Sequence, residues 1–257
     1  MTAKGDTVVS GSAMTNYITK NFRADLVVVH HLSEGLPPMG MWNEMELHLD
    51  RNRYKYARKP IDKPAITFEV SPAVEESANW SLEDWNRFCW EFVHELDKVD
   101  HVKYKGRYAK VKPTNLTNTQ FFAGLHRDSE SSILHLHLLC NRIDMMGNMN
   151  DARLIGLRAV AAADAINLRR GWKDPMEIHR EHVAMIVRDC MDALRNMDRF
   201  SWEGYVDAML RKGYATELRR DSKGEVVGYT VRLGHSHFKA SELGTDRKLM
   251  ARKIERT

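Results

Sequence analysis

The chain has 257 residues, 43% of them hydrophobic, and a net charge of +4 from 39 Lys/Arg against 35 Asp/Glu. That apolar content supports a substantial core and excludes a disordered chain, and no apolar run approaches membrane-spanning length. Cys89, Cys140 and Cys190 are too few and too widely spaced for a disulfide framework or a thiolate metal site. With an N-terminus that lacks the apolar core of a signal peptide, they set the expectation of a cytoplasmic protein.

Taken in order, residues 7–9 are a short β-prone opening. Residues 11–18 read as a short helix carrying Tyr17, with Ser12 or Thr15 as its cap. Residues 24–31 contain Leu26, Val27, Val28 and Val29 in one run and predict a buried strand. After Pro37, Pro38 and Gly40, residues 41–56 predict a helix with Trp42, Met45 and Leu49 at helical spacing, a stripe read as core. Residues 65–70 predict a strand with Ile66, Phe68 and Val70 on one face. Thr67 and Glu69 take the other, where Glu69 is expected in solvent rather than toward a site. Ser81 and Asp84 have capping-box spacing and open a helix carrying Trp85, Phe88, Cys89, Phe92, Val93 and Leu96.

Residues 104–112 are basic and aromatic. They form either a solvated edge or a surface that tracks a DNA strand through Lys103, Lys105, Arg107 and Lys110, since bases stack on aromatics while cations meet phosphates. Past residue 150, an Ala-rich helix capped by Asn150 or Asp151 runs through Arg169 and ends at Gly171. Residues 177–197 predict a long helix, and Ser201 caps a third one that stops at Gly213. Residues 215–220 and 226–233 form a hairpin about the turn 221–224. The closing residues 237–256 are polar and charged and predict no element. Residues 151–257 carry 21 Lys/Arg against 16 Asp/Glu, a net +5, against −1 for residues 1–150. A basic second half suits a polyanion such as DNA, although many ordinary surfaces carry as much. The expected division is residues 1–175 and a small αβ unit, 176–257.

The most informative stretch is residues 120–143, two apolar runs about a polar turn, which predicts a β-hairpin. Residues two apart on a strand share a face, so His135 and His137 project together with Leu139 and Asn141, while Leu134, Leu136, Leu138 and Cys140 face the core. If the arms pair through a four-residue loop, His126 lies directly across from His135. Three imidazoles then converge as a facial metal site with open positions. The alternative is a surface histidine cluster without metal.

The pattern His126-x-Asp128, His135-Leu-His137 and Asn141-Arg142 resembles the metal motif of the HUH endonucleases, in particular the relaxase or mobilisation nuclease family of plasmids and mobilisable elements. The likeness covers residues 7–172. It implies an α+β fold with a five-stranded antiparallel sheet flanked by helices. It also implies single-stranded DNA at an origin of transfer as partner, with accessory mobilisation proteins and a divalent cation, Mg²⁺ or Mn²⁺, on the three histidines. A tyrosine near the N-terminus is the nucleophile of that family, which points to Tyr17, with Tyr54 and Tyr56 as rivals. Asp128 stands as a carboxylate to orient an imidazole or as an ordinary turn aspartate. Asn141 and Arg142 follow the family pattern as DNA contacts, although strand alternation turns Arg142 to the other face. The competing expectations are a rolling-circle replication initiator with the same chemistry, an inactive DNA-binding accessory protein, and an unrelated metallohydrolase.

Overall fold

The computed structural model describes residues 1–20, 24–127, 134–234, 236–243 and 248–255, with the side chain of Val74 excepted. Strand β1 (Thr2–Val8) leads into helix α1 (Gly11–Thr19), then β2 (Asp25–His30) and α2 (Pro38–Asn52). A 3₁₀ turn, Arg53–Tyr56, is followed by β3 (Ala65–Ser71), the short α3 (Val74–Ser77) and α4 (Leu82–Lys98). A two-stranded ribbon, β4 (His101–Tyr104) and β5 (Arg107–Lys110), precedes the long pair β6 (Thr119–His126) and β7 (His135–Asp144) and helix α5 (Ile155–Arg170). The chain divides into two compact units, Met1–Lys173 and Asp174–Thr257.

The first unit is α+β. Its five-stranded sheet has the order β1-β3-β7-β6-β2, with every neighbouring pair antiparallel. Alternation along the strands sorts two apolar faces. Ile66, Phe68, Val70, Phe121, Leu136, Leu138 and Cys140 face α4 and α5. There the small side chains Ala159, Ala162 and Ala163 let α5 lie close to the sheet. On the opposite face, Val8, Ala65, Phe122 and Leu139 pack with Ile18 of α1 and with Met41, Trp42 and Met45 of α2. With both faces covered, all of β6 is buried, which is why this stretch carries so few polar residues.

The capping box of α4 forms as its spacing predicts, with Ser81 and Asp84 each bonding the other's backbone. Two other caps differ from the sequence expectation. Helix α1 is capped by Ser10, whose hydroxyl accepts from the Ala13 amide, and not by Ser12 or Thr15. Helix α5 begins at Ile155 after Leu154 in a left-handed conformation (φ 55°). Asn150 and Asp151 are diverted from capping it. Asn150 accepts from the Asn115 amide and donates to Thr119, and Asp151 accepts from the Arg153 amide.

In the second unit, α6 (Pro175–Arg195) and α7 (Trp202–Arg211) precede the meander β8 (Ala215–Arg220), β9 (Val226–Leu233) and β10 (Ser236–Lys239), with α8 (Ala251–Ile254) at the end. The closing stretch, expected to be featureless, supplies Phe238, Leu243, Leu249, Ala251 and Ile254 to this unit's core. Its apolar residues are isolated among charges, so no periodic signal marks them. Among the described residues no helix is long and apolar enough to cross a membrane.

Candidate metal centre

The register of the long hairpin decides the geometry. His126 pairs directly with His135 across β6 and β7, and Gly124 pairs with His137. The three imidazoles therefore share one face. Ring centroids lie 4.4 Å apart for His126 and His137, 4.8 Å for His135 and His137, and 5.4 Å for His126 and His135. One ring nitrogen from each lies within 4.8 Å of the others, close enough for one cation to draw them together with small rotamer changes. His126 and His137 are buried and His135 is half-buried, so the cluster is most accessible at His135.

The surroundings favour neutral imidazoles, the form that binds a cation. Burial, followed by the neighbouring His126 and His135 and by Lys20 and Lys4, lowers the His137 pKa to about 3. Burial also holds His126 below the usual histidine value, against the opposing pull of its backbone hydrogen bond. That bond runs from His126 Nε2 to the carbonyl of Ile18 at 2.8 Å. It fixes the tautomer with Nε2 protonated and leaves the lone pair on Nδ1, the role a backbone carbonyl often plays behind a metal-binding histidine.

The same carbonyl belongs to α1, and α1 brings Tyr17 against the histidines. The Tyr17 ring centroid lies 5.3 Å from that of His126 and 5.0 Å from that of His137. Its hydroxyl is 3.5 Å from His137 Nε2, while the side chain is 53% exposed. A residue more than a hundred positions from the hairpin is thus held against the histidines and open to an incoming ligand. The approach depends on Gly124, where a Cβ would stand 2.6 Å from the Ile18 carbonyl oxygen. Tyr56 is committed elsewhere, donating to the Gly147 carbonyl at 2.7 Å, and Tyr54 sits in the exposed 3₁₀ turn.

Other expected site residues fall differently. Asp128 lies outside the described residues. Asn141 is not on a DNA-facing surface: it is buried, and its amide donates to the Met45 carbonyl and to Gln120 Oε1, bracing α2 against the sheet. Arg142 is likewise a brace and not a phosphate contact, with its guanidinium donating to the carbonyls of Asn150 and Lys63. Glu69, expected in solvent, keeps a side chain 38% exposed and also pairs across β3 and β7 with His137, so it lies on the histidine face. Its carboxylate takes an ion pair from Lys4 at 3.1 Å. The strand alternation already contained this placement; the missing information was which face of β3 meets the histidines.

Lys103, Lys105, Arg107 and Lys110 are exposed on the β4–β5 ribbon with Tyr104 and Tyr108 between them. Lys103, Tyr104 and Lys105 line a groove of about 550 Å³ together with Lys4, Leu157 and Val160. No family model matches the chain, and no curated protein or solved structure matches it significantly.

Proposed function

We propose that this protein is a metal-dependent DNA-nicking transesterase that opens and rejoins one strand at an origin of transfer and so initiates mobilisation of a plasmid or mobilisable element. The observation that carries the reading is the placement of the Tyr17 hydroxyl 3.5 Å from His137 in a three-histidine cluster. A tyrosine beside a metal-ligand set is suited to covalent catalysis, and its exposure leaves room for a bulky substrate.

His126, His135 and His137 would hold a divalent cation, Mg²⁺ or Mn²⁺ in this reading, and the burial that keeps the rings of His126 and His137 neutral fits that role. When bound, the cation polarises the scissile phosphate and offsets charge that develops during transfer. Tyr17 supplies the attacking oxygen. A Tyr–O–P bond forms as the bond from phosphorus to the 3′ oxygen breaks. The phenol loses its proton and the departing 3′ oxygen gains one, giving a 5′-phosphotyrosyl strand and a free 3′ hydroxyl. Because the phosphodiester is exchanged and not hydrolysed, the strand can be rejoined by the reverse step.

His126 donates to α1 and so orients both itself and the helix that carries the nucleophile. The exposed cations of the β4–β5 ribbon offer a phosphate backbone a surface in the same unit, with Tyr104 for stacking.

The test incubates the full chain with Mn²⁺ and a tiled set of single strands covering the DNA that flanks its own coding sequence. A protein–oligonucleotide adduct that survives denaturing electrophoresis is expected, absent with EDTA and absent for Tyr17→Phe. Normal adduct yield from Tyr17→Phe would sink the nucleophile assignment. Failure of every strand to form an adduct with the native chain would remove the nicking reading altogether.

A further inference from the structure

A second concentration of positive charge, besides that of the β4–β5 ribbon, lies away from the histidines. Residues 51–63 hold six Lys/Arg (Arg51, Arg53, Lys55, Arg58, Lys59 and Lys63) against the single Asp62, a net +5. The whole chain is only +4, so the other 244 residues sum to −1. All six cations are exposed, as is Tyr54 at 73%. Among the described residues only Arg53 of the six is in an ion pair, with Asp50.

The segment is also built to keep its shape. Tyr56 donates to the Gly147 carbonyl, Lys55 to the Met146 carbonyl at 3.1 Å, and Asn52 to the His48 carbonyl at 3.0 Å. Gly147 has φ 75°, and a Cβ there would collide with Asn52 and Lys55. At the far end the Arg142 guanidinium holds the Lys63 carbonyl at 3.2 Å. Like charges crowded on a fixed segment repel one another and destabilise the fold unless a polyanion meets them.

We infer that residues 51–63 are a second nucleic-acid surface that grips the phosphate backbone of duplex DNA without reading its sequence. The inference rests on the proposed function only in naming the polyanion as DNA. Single-strand sites interleave aromatics with cations, as the β4–β5 ribbon does, whereas here Tyr54 is the one exposed aromatic among six cations, Tyr56 being half-buried with its hydroxyl on the Gly147 carbonyl. An anionic membrane surface fits less well, because surface helices that bind lipid also insert a row of large apolar side chains, and besides Tyr54 this segment fully exposes only the small Ala57 and Pro60. Position suits a duplex flank. Ala65, just past the segment, pairs with Asn141, four residues along β7 from His137, so the segment lies roughly 13 Å along the strands from the metal centre, at about 3.3 Å per residue.

The experiment measures binding of the full chain to a fluorescent duplex of arbitrary sequence, by anisotropy across a salt series in EDTA. Each cation removed from a phosphate should lower the slope of log K against log salt by about 0.9. Arg58→Gln with Lys59→Gln is therefore expected to reduce the slope by about 1.8, while Arg58→Lys with Lys59→Arg retains it. An unchanged slope in the glutamine variant overturns the inference. So does loss of binding to phosphatidylserine vesicles while duplex binding is kept. The two readings fail separately: duplex binding through this segment without adduct formation would leave this surface and remove the nicking, and adduct formation with an unchanged duplex slope would do the reverse.

Discussion

Gly124→Ala tests the junction on which the site depends. Gly124 pairs with His137 in mid-strand, its φ is not in the left-handed region, and space alone is at issue. The added methyl carbon would lie 2.6 Å from the Ile18 carbonyl oxygen and 3.0 Å from Ile18 Cγ2. Ile18 is fully buried between α2 and the sheet, so relief requires α1 to ride outward by most of an ångström. Overpacking of this kind costs about 1–3 kcal/mol. The His126–Ile18 hydrogen bond would stretch toward breaking, adding about 1 kcal/mol. The gain in chain stiffness on replacing glycine offsets up to ~1 kcal/mol. A net loss of about 1–3 kcal/mol should appear in urea unfolding of the metal-free chain. The functional effect should be larger: a displacement approaching 1 Å of a reacting group can cost ~10²-fold in rate, so the rate of adduct formation should fall by one to two decades while DNA affinity holds. A variant as stable as the native chain, with an adduct rate within a factor of about two, would show that this contact does not seat Tyr17.

Four further outcomes are expected. Tyr17→Phe keeps the three gathered histidines, so it should bind metal as the native chain does by calorimetry and should form no adduct. His137→Ala should weaken metal affinity by at least tenfold, by analogy with the loss of even an outer partner, and an undiminished calorimetric isotherm would remove it from the ligand set. Without metal, stability should fall with acidity: the folded pKa values of His137 and His126 lie below the ordinary 6.5, so the unfolded chain binds more protons below that pH. Stability conferred by the neutral rings is therefore complete above pH 6.5 and is lost as pH falls below it, down to about 3 for His137, by at most about 1.4 kcal/mol per pH unit for each ring. Urea midpoints in EDTA should drop between pH 7 and pH 5, less steeply in His137→Gln. Gly147→Ala should lower the thermal midpoint by forcing Asn52 and Lys55 off the β7–α5 connection, whereas Gly106→Ala, with open space around it, should show only the strain of its φ of 78°.

The hairpin was legible because strict alternation fixes which residues share a face, and a one-residue slip would have sent every histidine to the core side. The same alternation placed Leu136, Leu138 and Cys140 in the core, where they lie. It could not assign Glu69, since a period of two separates the faces of β3 without saying which one its neighbour β7 shares. Asn141 and Arg142 escaped for another reason. All but one of the acceptors they reach, Gln120 Oε1 being the exception, are backbone carbonyls, of Met45 and of Lys63 and Asn150, and a carbonyl is present at every position, so no side-chain pattern marks it. The closing segment of the second unit was obscured by its charges: β10 and α8 each bury only one or two apolar side chains against a core formed elsewhere.

Two long-range relations complete the centre, and both pass through main-chain atoms. The Ile18 carbonyl receives His126 and also limits what can stand at position 124, so one peptide group sets the tautomer of a candidate ligand and the height of the helix that carries Tyr17. Moving that group would shift the metal set and the nucleophile together. This coupling distinguishes the arrangement from three histidines that merely share a sheet face. An adventitious surface cluster has no need of a buried imidazole anchored to a helix, or of a glycine kept bare to admit that helix. If metal affinity and adduct rate fall together in Gly124→Ala, the hairpin and α1 act as one device; if metal affinity is unmoved while the rate falls, the Ile18 carbonyl positions Tyr17 alone.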